Sequence, residues 1–177
     1  MSGIPYAGAA MVAVLALTTN DNGALKEQTA QRSRLFGRPA RGALSQPLEA
    51  FLDWWAWNGP HDVLVAPNGG VRLVESVQEQ FAATGQSNAR TLASTPHGRG
   101  GAVDLWPVEF EAMANRLRWD QVPAETRDRF RIQGEAGEAF GLRWGGRWAS
   151  ATFPNGDQPH IEDPNWQALP FPYRGVA

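Results

Sequence analysis

A chain of 177 residues, 42% hydrophobic and with eight tryptophans, is long enough for one domain, or one domain plus an arm, and can bury a sizeable core. Its net charge of −2 provides no basic field for nucleic acid, and the absence of cysteine excludes disulfides and thiolate-bound zinc. Charge is unevenly placed, with +3 on residues 1–44 and −5 on the remainder. Such a weakly cationic arm is either a solvated linker or an aid to docking on an anionic wall polymer or membrane surface.

No charged side chain precedes Asp21, and Ile4 to Leu17 is an apolar run rich in alanine and glycine. The run has no cationic segment before it and is shorter than the ~20 residues that span a bilayer. Arginines follow it, which would hold the downstream domain in the cytoplasm. The expectation is a helix or strand packed on the main domain, not an export signal. Membrane contact by residues 1–20 is the secondary reading.

Phe36 to Pro47 is rich in Gly, Pro, Arg and Ser and reads as a connector, so the expected boundary lies between an arm, 1–44, and a domain, 45–177. Pro47 opens a helix with Leu48, Phe51, Leu52 and Trp55 on one stripe, ended by Asn58-Gly59-Pro60. Val63 to Ala66 reads as a buried strand, Asn68-Gly69-Gly70 as a turn, and Val71-Arg72-Leu73 as a further strand. Glu75 to Thr84 is predicted helical with Gly85 as its stop.

A glycine-rich loop at 98–101 leads into a strand, Ala102 to Trp106, whose alternation puts Ala102 and Asp104 on one face. Helices are predicted from Pro107 to Arg118 and from about Pro123 to Phe140, the latter with a possible break at Gly134 and Gly141 as cap. From Arg143 onward the pattern is of short strands and turns, including Arg143-Trp144, Arg147-Trp148 and His160-Ile161-Glu162. This order implies an α+β fold, with helices on one side of a small, mostly antiparallel sheet.

Two of the three histidines lie in compact motifs that also contain carboxylates: His97 with Asp104, and Asp157 with His160. Two imidazoles and one carboxylate can hold a zinc ion with its fourth position open to water, and a spare carboxylate can take a proton from that water. Glycines 98, 100 and 101 let the chain bend so that a ligand seven positions after His97 returns to the same ion. On a strand, Glu162 shares the face of His160 and suits an imidazole-orienting role, or that of the base.

His97 to Asp104, read as His-x-x-Gly-x-Ala-x-Asp, resembles the first metal motif of the peptidoglycan peptidases related to D-Ala-D-Ala carboxypeptidases. Asp157-x-x-His160, preceded by Phe140-Gly-Leu-Arg-Trp-Gly-Gly-Arg-Trp148, resembles the second. The most similar branch is that of phage endolysins and bacterial L-alanyl-D-glutamate peptidases, and the resemblance spans about residues 46–163. It implies a hedgehog/DD-peptidase-like fold, zinc (Zn2+) held by His97, Asp104 and His160, and Asp157 as catalytic base in preference to Glu162. Thr95 stands where the family usually has serine, and keeps the hydroxyl.

On the same resemblance, Arg72 stabilises an oxyanion, its alternative being a strand-end salt bridge. Arg99 is either solvent-exposed or a contact for a substrate carboxylate, and Trp144 and Trp148 either line the substrate cleft or belong to the core. The implied function is hydrolysis of the peptidoglycan stem peptide at the bacterial cell wall by a monomer, phage-encoded and made in the host cytoplasm or carried in the virion. L-alanyl-D-glutamate, D-Ala-D-Ala and cross-link bonds are all open as targets. A wall-binding or virion structural protein that keeps the fold is the alternative of another class.

Overall fold

The computed structural model describes residues 34–85, 89–114, 116–149 and 154–171, all within the unit Arg32–Ala177. The apolar run 4–17 and the membrane reading for residues 1–20 lie outside them. No helix among the described residues is long and apolar enough to cross a membrane.

Among the described residues the α-helices and β-strands are, in order, β1 (Leu35–Phe36), α1 (Gln46–Asn58), β2 (Val63–Val65), α2 (Glu75–Ala83), β3 (Ala102–Pro107), α3 (Ala124–Ala139), β4 (Arg143–Trp144) and β5 (His160–Glu162). The strands form one sheet in the order β1-β2-β3-β5-β4, antiparallel except for the β1–β2 pair. The architecture is α+β, as the order of elements in the sequence implies.

The predicted stripe of α1 is its buried face. Leu48, Phe51, Leu52 and Trp55 are each fully buried, and they pack with Val63, Val103, Leu105, Leu142, Trp144 and Ile161 in one core. Each such side chain contributes about 1.5–3 kcal/mol over its exposed state. On β3, Val103 and Leu105 serve this core, so strand alternation assigns Asp104 and Trp106 to the other face.

The stretch read as a connector is irregular in backbone but tightly held. Arg38 spans Glu49 (2.6 Å) and Asp53 (2.5 Å) of α1, and the Glu49 carboxylate accepts the backbone N–H of Gly42 at 3.0 Å. Val71-Arg72-Leu73, expected as a strand, joins no strand pair.

The helix expected from Pro107 to Arg118 does not form. Pro107 pairs with Val63 at the end of β3, and a 3-10 turn, Val108–Ala112, follows. Phe110 is wedged between Trp106 and Phe130, with ring centroids 5.5 and 4.9 Å away, which fixes this tight turn.

α3 runs unbroken past Gly134. A Cβ there would lie 2.0 Å from the Trp144 indole, so the glycine is a close-approach residue and not a break. The helix ends in a Schellman pair, Gly141 N–H to Glu138 O at 2.9 Å and Leu142 N–H to Gly137 O at 3.2 Å, with Gly141 at φ 78°.

Candidate metal centre

His97 lies in a 3-10 turn, His97–Arg99, that closes on Gly100 at φ 65°. This left-handed residue turns the chain back into β3, where Asp104 follows. The predicted turn at Asn68-Gly69-Gly70 fastens both residues. Gly69 O accepts the Asp104 N–H at 2.6 Å, and Gly70 O lies 3.0 Å from His97 Nδ1. Arg72 N–H in turn donates to His97 O at 3.2 Å.

β5 delivers the third group. Asp104 and His160 are direct partners across the β3–β5 ladder, and therefore share a face. The sheet thus brings together His97, Asp104 and His160, which sequence spacing alone left far apart. His97 Nε2, Asp104 Oδ1 and His160 Nδ1 converge, at 3.4 Å (His97–Asp104), 3.0 Å (His160–Asp104) and 3.3 Å (His97–His160).

Those separations are what a small tetrahedral ion requires, since ligands at ~2.0–2.1 Å from it lie about 3.3 Å apart. The tautomers agree. A carbonyl can only accept, so Gly70 O holds the proton on His97 Nδ1 and leaves the Nε2 lone pair facing inward. Glu162 Oε2, 3.1 Å from His160 Nε2, does the same for the other ring and frees its Nδ1. Two lone pairs and a carboxylate facing one another need a cation between them, and this trio can hold a metal.

Electrostatics point the same way. Burial opposes charge on His160, but hydrogen bonds to Asp104 and Glu162 prevail and raise its pKa to about 10, so the pocket favours positive charge. Asp104 is buried too, yet the two imidazoles hold it well below the usual carboxylate range. Asp157 goes the other way. Its burial and the Asp104 charge raise its pKa, against the pull of His160, His97 and Arg72. Gly145 accepts the Asp157 N–H at 2.8 Å, and a Cβ on Gly145 would lie 2.5 Å from the Asp157 carbonyl, so the glycine permits this approach.

Arg72 is brought to the centre, its guanidinium 3.8 Å from Asp104 Oδ2. Burial lowers its pKa, with Asp104 and Asp157 opposing. Gln78 accepts from Arg72 Nη1 at 2.9 Å and is itself fully buried, and Phe81 lies 4.5 Å beneath the guanidinium. Trp148 is half-buried with its ring 5.1 Å from that of His160, and Thr95 is buried two residues before His97.

Arg99 and Trp144 are not brought to the centre. Arg99 donates to Ala93 O (2.8 Å) and Leu169 O (2.6 Å), tying the loop to the C-terminal segment. Trp144 is in the core, its indole N–H donating to Gln158 O at 2.8 Å. Sequence reasoning missed Arg143, whose Nη2 is 2.5 Å from Glu162 Oε1 and whose guanidinium lies 5.4 Å over Trp148. Only the β4–β5 register, Arg143 opposite Glu162, reveals it.

Residues 88–163 match the family model described as D-alanyl-D-alanine carboxypeptidase. No curated protein matches the chain in sequence. Among solved structures, the L-Ala D-Glu endopeptidase ChiX of Serratia marcescens is similar at 18% identity, over 81% of this chain and 95% of that one, with a TM-score of 0.47. The matched segment contains the converging His97, Asp104 and His160 together with Asp157, so the metal-competent centre lies within the part of the chain that is similar to D-alanyl-D-alanine carboxypeptidases.

Proposed function

We propose that the chain is a zinc endopeptidase that cleaves the L-alanyl-D-glutamate bond of peptidoglycan stem peptides. The observation that carries this reading is the convergence of three metal-competent donor atoms, on His97, Asp104 and His160, beside a fourth, uncommitted carboxyl on Asp157. A purely structural site has no use for that extra group. The choice of bond rests on the paired motifs His97–Asp104 and Asp157–His160 and their resemblance to the L-alanyl-D-glutamate branch.

His97, Asp104 and His160 would hold zinc, which when bound supplies Lewis acidity for the scissile carbonyl and lowers the pKa of water. Asp157 takes the proton of the attacking water and returns it to the leaving amine. Arg72, braced by Gln78 and Phe81, offsets the charge that develops on the carbonyl oxygen. Glu162 keeps His160 in the tautomer that presents Nδ1. We assign substrate contact to Trp148, whose ring packs beside His160, and to Thr95, two residues before His97. We place the peptidase in residues 45–177, with 1–44 as an arm whose described end packs on α1. The setting we infer is endolysin-like wall cleavage, phage-encoded, by a monomer.

D-Ala-D-Ala carboxypeptidase activity is the second reading, favoured by the description of the matching family. Digestion of purified peptidoglycan by the zinc-loaded protein, with a chelated control and mass spectrometry of the new ends, separates the two. New alanine carboxyl and glutamate amino termini support the endopeptidase, and released D-alanine the carboxypeptidase. No cleavage by protein with zinc bound would refute both.

A further inference from the structure

Four aromatic residues stand apart from the main core. Trp106, Phe110, Phe130 and Trp119 form a run of edge-to-face contacts, with successive ring centroids 5.5, 4.9 and 5.5 Å apart. Phe130 is fully buried, while Trp106, Phe110 and Trp119 keep part of their surface open. They line a cleft of about 360 Å³ together with Ala114 and the segment 154–159, which includes Asp157.

The cleft continues the metal centre. Trp106 is two residues beyond Asp104 on β3, on the same face by alternation and about 7 Å further along the strand. Leu105 N–H donates to Pro159 O at 2.9 Å, which holds the Asp157 segment alongside β3.

The lining determines what would fit. Among the described residues that line it there is no lysine or arginine, and their only ionisable side chain is Asp157. A carboxylate-bearing part of the stem peptide would find no cation there and would face a like charge. Aromatic surface with the amides of Asn155 and Gln158 at hand suits a neutral ring with an apolar face and a polar rim. A pyranose has that form.

We propose that this cleft seats a pyranose ring of the glycan strand that carries the stem peptide. The proposal rests on the peptidase function above and bears on its choice of bond. The L-alanyl-D-glutamate bond is the peptide bond closest to the sugar, so a ring held beside Asp157 brings that bond to the metal centre and leaves the terminal D-alanine distant.

The test compares two substrates of the full chain loaded with zinc: a disaccharide-linked tetrapeptide and the same tetrapeptide without sugar. Wild-type protein should prefer the sugar-bearing form by about ten-fold in kcat/KM, mostly through KM. Trp119→Leu and Trp106→Leu keep apolar bulk but remove the flat ring, and each should shrink that ratio. Equal turnover of both substrates by wild type, or a ratio unchanged in both variants, overturns the cleft assignment and leaves the peptidase reading intact.

If neither substrate is cut, the peptidase reading fails, and a tryptophan-fluorescence titration with the N-acetylglucosamine–N-acetylmuramic acid disaccharide still decides the cleft. A saturable change that is lost in Trp119→Leu supports it. No change in the wild type refutes it.

Discussion

Asp104 and His160, 56 positions apart in the chain, are direct cross-strand partners, with Oδ1 3.0 Å from Nδ1. Placing two of the three donors on paired strands makes their separation a property of the sheet and not of a loop, and preorganises the site before any ion arrives. The third donor, His97, comes from a turn, but Gly70 O and the Arg72 N–H hold that turn from both sides.

The division of labour between donors and base gives the first prediction. Asp157→Asn keeps the shape of the side chain and removes its ability to accept a proton, while His97, Asp104 and His160 are untouched. Zinc content should remain at one per chain, and hydrolysis should fall by about 10²–10⁴-fold. His97→Ala should instead lose the metal. Metal analysis beside a turnover assay distinguishes the two, and full activity in Asp157→Asn would remove that residue from the mechanism.

Arg143 is linked to His160 through two intermediaries. It holds one oxygen of Glu162 at 2.5 Å while the other faces His160 Nε2 at 3.1 Å, and its guanidinium lies over Trp148, which packs on the same imidazole. Arg143→Ala should therefore weaken zinc affinity by about 10-fold or more, within the range for groups that orient metal-bound histidines. Competition with a chelating dye measures this directly. Arg143→Lys should restore part of the loss, since it keeps the charge but not the planar stacking. Unchanged affinity in the alanine variant would make the ion pair a surface feature only.

Much of this centre was legible in the sequence because its chemistry is local. Two short motifs contain all three donors and Asp157, and the alternation of β3 and β5 predicts which side chains share a face. Long-range partners were not legible. Gln78 under Arg72 and Arg143 beside Glu162 are set by helix placement and strand register, neither of which leaves a periodic trace. Trp144 and Arg99 were ambiguous for the converse reason: a tryptophan or an arginine near a motif serves packing as readily as substrate, and here the core and a carbonyl clamp claimed them. In the fold, apolar periodicity located α1 well, and the bounding Pro123 and Gly141 located α3. The helix expected from Pro107 to Arg118 failed, because aromatic contacts of Phe110 impose a tight turn on a helix-compatible sequence.

Gly134 tests whether the α3–Trp144 contact is as tight as its geometry. By helix propensity alone, Gly134→Ala in mid-helix should stabilise by up to ~1 kcal/mol. The added Cβ would lie 2.0 Å from the indole, so steric conflict should win and the variant should lose about 1–3 kcal/mol. Denaturant unfolding at neutral pH gives the sign at once. A stabilised variant would mean that Trp144 moves freely enough to accommodate the methyl group.

His61 supplies an acid-sensitive element remote from the metal. Its ring packs edge-on against Trp55 at 5.1 Å, and its buried Nε2 has no hydrogen-bond partner. Burial, assisted by the nearby Arg129 charge and opposed by Asp62, lowers its pKa to about 4 from 6.5. Between those values the unfolded chain binds the proton more readily than the folded one, so stability increases with pH. The contribution is fully present above about pH 6.5 and is lost as pH falls toward 4. Replacing the ring with one that cannot ionise, His61→Phe, should flatten this part of the profile while preserving the contact with Trp55. Denaturation midpoints of both proteins from pH 7 to 4.5 provide the comparison. Parallel profiles would show that His61 is already solvated in the folded protein and that other groups govern its acid sensitivity.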